Sequence, residues 1–427
     1  MTPRLVLSDE KGNIFVHPTL KMLGFDGRDL SLPSEKEVIA LPKDSTLFYM
    51  PGHRAFGWDD KQETLFSVED FQNKAVFPVS AFLVPGFSRL YLPAAQKIDP
   101  KVILPLWPYT ALGWRQGKFY ACAVKIDLLR RQRPFYYCQS VLMKAGIKTD
   151  LKKFPKNRLF NHLSHCALHY NCRNAQNLFL KRWEAPLPVS PGCNSRCLGC
   201  LSFQESDCAQ ASHERISFVP TPQEVAEVGG QHLKRARQPI VSFGQGCEGE
   251  PLLQFSVLKE SINLMRRLTR RGTIHLNTNG SCPEYLKELA FLGLNSVRIS
   301  LNSFSPKRYN AYYRPCGYKF SDVVDSIIQA KKCGLFVSLN YLLFPGSSDA
   351  PQEVEHLIIF LKKGYVDLLQ LRNLSIDPGL FLDRMPLVKS RPLGIYKMIT
   401  LIKTQCRRLR LGYFNLPKEK FVPHPAP

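Results

Sequence analysis

The hydrophobic pattern changes its period part-way along the chain. Up to about residue 183 it runs in short β-branched and aromatic stretches, at 4–9, 13–18, 46–52, 75–86 and 119–126. Clusters of Gly, Pro and Asp separate them, the mark of short strands joined by tight turns. This predicts a separate β-rich N-terminal domain over 1–183, a small barrel or sandwich, with no catalytic motif in it. From residue 184 the rhythm differs. Apolar runs at 185–190, 239–243, 273–277, 296–301, 336–342 and 366–371 alternate with longer amphipathic segments. Two of those segments open on a Ser/Thr-x-x-Glu capping box with proline in the first turn, Thr221–Glu224 and Ser281–Glu284. Six strand–helix units in a row predict an α/β fold with a parallel sheet. Right-handed crossovers curl such a sheet into a (β/α)6 partial TIM barrel, here over 184–411. Residues 412–427 read as a loose C-terminal tail.

Composition narrows the class. Apolar residues make up 44% of the 427, enough for a large core. No apolar run reaches 18 residues, and Pro105 and Pro108 interrupt the most apolar stretch, 102–114. With no apolar leader at the N-terminus, the expectation is a cytoplasmic protein without a membrane segment. The net charge of +23 is unevenly spread. Residues 101–200 carry 17 Lys and Arg against 3 Asp and Glu, and residues 301–427 carry 19 against 9. Such surfaces attract anionic partners or are solvated faces.

Thirteen cysteines is an odd number, and their spacing is no disulfide framework. Cys193, Cys197 and Cys200 stand within eight residues, in CNSRCLGC, just after the first strand of the βα series. Closed structural zinc sites take four ligands, often as two separated pairs. A single triplet fits a [4Fe–4S] cluster with one iron left open to a small molecule, and zinc or unrelated cysteines are the other readings.

Three further motifs fall at later strand ends. They are Gly249-Glu250-Pro251, Thr278-Asn279-Gly280, and Ser300 with Asn302 in ISLNS; Asn340 sits similarly in the fifth unit. Together with CxxxCxxC they resemble the radical S-adenosylmethionine (radical SAM) superfamily over roughly 183–373. The resemblance implies a [4Fe–4S] cluster on Cys193, Cys197 and Cys200. It implies SAM held by Gly249, Glu250, Pro251, Thr278, Asn279, Ser300, Asn302 and Asn340. It further implies reductive cleavage of SAM to a 5′-deoxyadenosyl radical that takes hydrogen from a substrate, with flavodoxin or ferredoxin as electron donor. Two departures stand out. Gly199 replaces the usual aromatic before the third cysteine, and Glu248 replaces a glycine of the GGEP-type motif.

Other features are less specific. His162, Cys166, His169 and Cys172 have helical ligand spacing and form a candidate second metal site. Residues 130–158 hold nine basic groups and one acid, with Phe135, Tyr136, Tyr137 and Phe154 interleaved. That mixture suits RNA as well as it suits a basic linker. Cys247 and Cys316 are candidates to face the pocket, and Arg314 and Arg372 are candidates for an anionic substrate. Arg266, Arg267, Arg270 and Arg271 end a helix and complement its dipole. Candidate substrates are RNA, a peptide or glycyl-radical protein, and a small molecule. The alternative from another class is a non-catalytic metal-binding RNA-binding protein.

Overall fold

The computed structural model describes residues 2–127, 139–205 and 209–422. In the N-terminal part the strands pair antiparallel. Arg4–Ser8 lies between Ile14–Met22 and Phe77–Phe82, and the hairpin of Thr110–Arg115 with Lys118–Lys125 extends the same sheet. Successive strand residues point to opposite faces. Leu5 and Leu7 therefore join one small core, and Val6 joins another with Val79, Leu112 and Ala121.

The β-rich reading stops short of residue 183. Three helices follow, α1 (Ser140–Lys153), α2 (Arg158–Leu168) and α3 (Arg173–Phe179). Leu159, Phe160, Leu163, Cys166 and Ala167 recur three or four apart, so α2 buries one continuous face. Asn157 caps it by accepting from the Phe160 N–H at 3.0 Å. Phe154, read above as a stacking platform for bases, lies against the Phe160 ring at 5.1 Å. Arg130–Arg133, Phe135, Tyr136 and Tyr137 lie outside the described residues.

The second sheet is parallel throughout. Its strands run in sequence order: β1 (Arg182–Pro186), β2 (Arg237–Phe243), β3 (Thr273–Thr278), β4 (Ser296–Leu301), β5 (Phe336–Leu343), β6 (Leu368–Asn373) and β7 (Arg410–Gly412). The first is shifted from the expected 185–190, because Val189 and Ser190 donate to the Glu248 carboxylate instead of a neighbouring strand. The seventh, beyond the six expected, continues the sheet beside β6. Outside lie α4 (Pro222–Arg235), α5 (Phe255–Leu268), α6 (Pro283–Leu292), α7 (Pro306–Tyr313), α8 (Phe320–Lys332) and α9 (Pro351–Lys362), with α10 (Pro378–Arg384) and α11 (Ile395–Gln405) after β6.

The Thr221–Glu224 capping box forms on α4. That expected at Ser281 does not: Cys282 is the N-cap of α6 and its side chain caps nothing. The Ser281 N–H is instead taken by the Asn279 side chain at 3.0 Å, which locks the turn before the helix. Arginines in the last turn of α5 and just after it reach carbonyls at other helix ends. Arg266 donates to Gly293 O after α6 at 2.9 and 3.0 Å, and Arg271 to Ala236 O after α4 at 2.8 Å.

Two contacts unite the parts. Arg89, wholly buried, sits over the Phe344 ring and donates to Tyr109 O in its own sheet and to Leu343 O and Leu374 O at the ends of β5 and β6. The C-terminal segment is not loose. Asn415 bonds Glu184 and Gln370, the Lys418 N–H reaches Thr273 at the start of β3, and Phe421 stacks on Phe336 at the start of β5. It covers the N-terminal ends of the strands because Leu416 and Phe421 complete the apolar surface there. No helix among the described residues is long and apolar enough to cross a membrane.

Candidate active site

One cavity of about 590 Å³ opens at the C-terminal ends of the strands. Cys193, Cys197 and Cys200 line one side of it. Their loop is held by the end of α7. The Arg196 and Leu198 N–H groups donate to Tyr313 O and Tyr312 O at 3.0 Å each, and Cys316 N–H donates to Asn194 O at 2.9 Å. Burial pushes the Cys193 thiol up to about 11 and raises Cys197 further, with the neighbouring thiols and Glu250 adding to the effect. Arg215 opposes this from beside Cys200, its Nη2 lying 3.6 Å from Sγ. The Gly199 departure has a compensation. A Cβ on Gly199 would lie 2.9 Å from the hydroxyl of Tyr312, so an aromatic from α7 occupies the space beside the third cysteine.

The loop after β2 is fastened to this loop by backbone. Gly249 N–H donates to Ser190 O at 2.7 Å and Glu250 N–H to Gly192 O at 2.9 Å. A Cβ on Gly249 would fall 1.8 Å from Gly192 O, so the approach requires glycine. Glu248 is a second fastening. Its Oε2 accepts from Val189 and Ser190 and its Oε1 from Gly244 and Gln245, although burial pushes its carboxyl up to about 8. Glu250 Oε1 accepts from Leu252 N–H at 3.0 Å and Thr278 Oγ1 at 2.6 Å, and its Oε2 from Asn279 N–H at 2.8 Å. Both its oxygens therefore join β2 to the β3 turn. Asn279 passes the link on, donating to Asn194 Oδ1 at 2.7 Å and Ser195 Oγ at 3.1 Å in the cysteine loop.

Seven of the eight residues read as SAM contacts line the cavity: Gly249, Glu250, Pro251, Thr278, Asn279, Ser300 and Asn340. Asn302 does not; it is buried and donates to Arg308 O at 3.4 Å. Among the described residues no three His, Cys, Asp or Glu side chains converge closely enough to hold one metal ion. The second metal site at His162, Cys166, His169 and Cys172 is therefore not formed. Helix α2 ends at Leu168, His169 caps it, and His169 stacks on His165 on the exposed side at 4.4 Å, while Cys166 turns inward. Cys166, Cys172 and Cys247 reach the cavity wall instead. The thiolates that hold a cubane bind different irons and need not converge on one point.

Arg314 is committed to Glu205 at 2.9 Å and to Arg196 O, and Cys316 is exposed. Sequence reasoning missed Arg215, Tyr312, Arg298 and Tyr413, because neighbourhood in space brings them to the cavity and no motif marks them.

The family model of the Radical SAM superfamily matches residues 187–360. This chain carries a radical SAM domain. Enzymes of that class bind a [4Fe–4S] cluster and SAM. The chain is 29% identical over 187 residues to GTP 3′,8-cyclase of Peptoclostridium acidaminophilum, covering 43% of this chain and 52% of that one. It is 23% identical over 178 residues to the FeMo cofactor biosynthesis protein NifB of Klebsiella pneumoniae, covering 38% of each. The chain thus spans about half the length of the cyclase it matches. Among solved structures it is similar to anSMEcpe with bound AdoMet, at 20% identity and a TM-score of 0.35 over 45% of this chain and 51% of that one.

The radical SAM domain's residues fit both cofactors. Three thiols on one wall, with Arg215 to offset their charge, suit a cluster that leaves an iron open. Beside them the cavity is lined by glycine backbone and by Asn340, whose Oδ1 is buried without a partner. A buried, unpaired acceptor of this kind suits a ligand that brings N–H or O–H groups.

Proposed function

We propose that this chain is a radical SAM enzyme that acts on a small molecule in the biosynthesis of a cofactor. Cys193, Cys197 and Cys200 hold the cluster. The backbone around Gly249, together with Thr278, Asn279, Ser300 and Asn340, holds SAM, and a flavodoxin- or ferredoxin-type donor supplies the electron. When bound, these groups provide a 5′-deoxyadenosyl radical able to take hydrogen from an unactivated C–H bond. The protein's own work is positional. Glu248 and Glu250 tie three loops into one rim that fixes the positions of the groups around the cavity. Cys247 and Cys166 also line the cavity.

The observation that carries the reading is the convergence of the cysteine, Gly249-Glu250-Pro251 and Thr278-Asn279 segments through the two carboxylates onto one cavity. Its size, about 590 Å³, is that of a small-molecule site, and the similarity to a cyclase of GTP and to a FeMo cofactor biosynthesis protein favours the same substrate class. RNA is less well supported, since Phe154 is committed to the core. The test is anaerobic. Protein reconstituted with iron and sulfide and reduced with dithionite is given SAM, and 5′-deoxyadenosine is measured by chromatography. Wild type should form it, and Cys193→Ala/Cys197→Ala/Cys200→Ala should not. A wild type that binds no cluster and leaves SAM intact would sink the reading.

A further inference from the structure

The wall of the cavity formed by β4, β5 and β6 carries two arginines, Arg298 and Arg372. The register stacks inward-facing residues in rows. Ser300 pairs with Asn340 and Asn340 with Gln370, while Arg298 lies one inward row below and Arg372 one above. Both arginines line the cavity. Arg298 is buried, its Nη1 donates to Gln370 Oε1 at 3.1 Å, and its Nε has no partner. The Arg372 guanidinium makes no hydrogen bond or ion pair among the described residues; it lies over the Tyr413 ring at 4.7 Å, and its Nε is also buried and unpartnered. The charge of the buried Glu184 carboxylate acts on Arg298, but its Oε1 accepts from Ser242, Gln245 and Asn415, and no hydrogen bond joins it to either arginine among the described residues. His275 nearby offers no negative charge and is kept neutral, pushed down to about 4 by burial.

Burying guanidinium N–H groups without acceptors is costly, and enclosed positive charge is tolerated where a ligand discharges it. Guanidinium forks match oxyanions in geometry as well as charge. We propose that Arg298 and Arg372 bind an oxyanion of the substrate, a phosphate or carboxylate group, and so hold the substrate on the β4–β6 wall facing the cysteine loop. This rests on the small-molecule reading above and adds the substrate's charge class. Burial, and then the charge of Arg372, lower the basicity of Arg298 to about 9, the direction expected of two cations facing one space.

SAM carries a carboxylate of its own, so the test separates the two sources. Isothermal titration of the cluster-loaded full chain would use SAM, inorganic pyrophosphate and malonate as probes, on wild type, Arg372→Gln and Arg298→Gln. Circular dichroism and melting temperature check folding, and Arg372→Gln, at the less buried position, keeps the test open should Arg298→Gln fail to fold. The expected result is saturable binding of pyrophosphate or malonate to wild type with SAM present, weakened about tenfold or more by Arg372→Gln. SAM affinity should stay within about twofold. The tighter of the two anions assigns the group as phosphate or carboxylate. A tenfold loss of SAM affinity with anion binding unchanged would give the arginines to SAM and overturn the proposal. Anion binding that is absent, or equal in wild type and Arg372→Gln, would also overturn it. Because 5′-deoxyadenosine formation without substrate is scored separately, failure here leaves the cofactor reading standing.

Discussion

Single atoms decide whether this cavity can form. Gly249 is the sharpest case, since the backbone of its loop lies against Gly192 O with no room for a side chain. Gly249→Ala should force the two loops apart and cost about 1–3 kcal/mol, the usual range for overpacking a close contact. The consequence to measure is iron per chain after reconstitution, with thermal unfolding alongside. Iron loading equal to wild type would mean that the loop joint is not needed for the cysteine site. Glu248 shows the same logic from the other side. It stands where the family has glycine, yet its carboxylate gathers four backbone N–H groups and fastens β1 to β2. A residue that looked like a weakening of the motif is a brace.

At the scale of elements, α2 and α4 are joined by one ion pair. Glu224, the last residue of the α4 capping box, accepts from Arg158 Nε at 2.9 Å and Nη2 at 2.8 Å. The hydrogen bond to Arg158 is the largest of the influences that hold the Glu224 carboxyl down at about 2, against about 4.5 when unfolded. The sign follows from linkage. The unfolded chain binds a proton that the folded one refuses, so the stabilisation is complete above pH about 4.5 and is lost as the pH falls toward 2. Arg158 is half exposed, so the pair contributes only about 1 kcal/mol. Unfolding of wild type and Glu224→Gln by urea, across that pH range, should show a difference near neutral pH that vanishes in acid. A difference that does not vary with pH would show that the capping box, not the charge, is what counts. Much at this scale was legible beforehand. Six of the seven barrel strands and the Thr221 cap follow from local pattern, because period and cap chemistry are written within a few residues. Helix α2 fell inside the stretch read as β-rich, and its direction of burial was not legible either. Cys166 turns inward and His169 outward because the helix ends at Leu168.

Across the whole molecule, the antiparallel sheet and the barrel share one apolar core, in which Met22, Met50 and Leu90 lie with Leu343, Leu371 and Leu374. Arg89 bridges them with donors to three carbonyls. Arg89→Ala should strand those acceptors and open a cavity, lowering stability by about 2–4 kcal/mol. Scanning calorimetry should then show the melting temperature fall, with the two sheets unfolding less cooperatively. An unchanged single transition would mean that the shared core alone joins the parts. The closing C-terminal segment belongs to this scale as well. "PKEKFVPHPAP" reads as a loose end because it has few apolar residues, and Phe421 finds its partner, Phe336, 85 residues upstream in the chain.

The sequence by itself determined the parallel barrel, the cysteine triplet and the motif positions at the strand ends. Each depends on residues close together in the chain, where spacing and turn chemistry are enough. Only the tertiary structure decided which side chains share the cavity. Tyr312 packs beside Gly199, Asn302 is withdrawn, the histidine–cysteine set is split, and Arg298 and Arg372 come to line one cavity from β4 and β6. Those outcomes depend on strand register and helix ends over separations of tens to hundreds of residues. No local pattern carries that information, because what brings these groups together is the packing of the sheet between them.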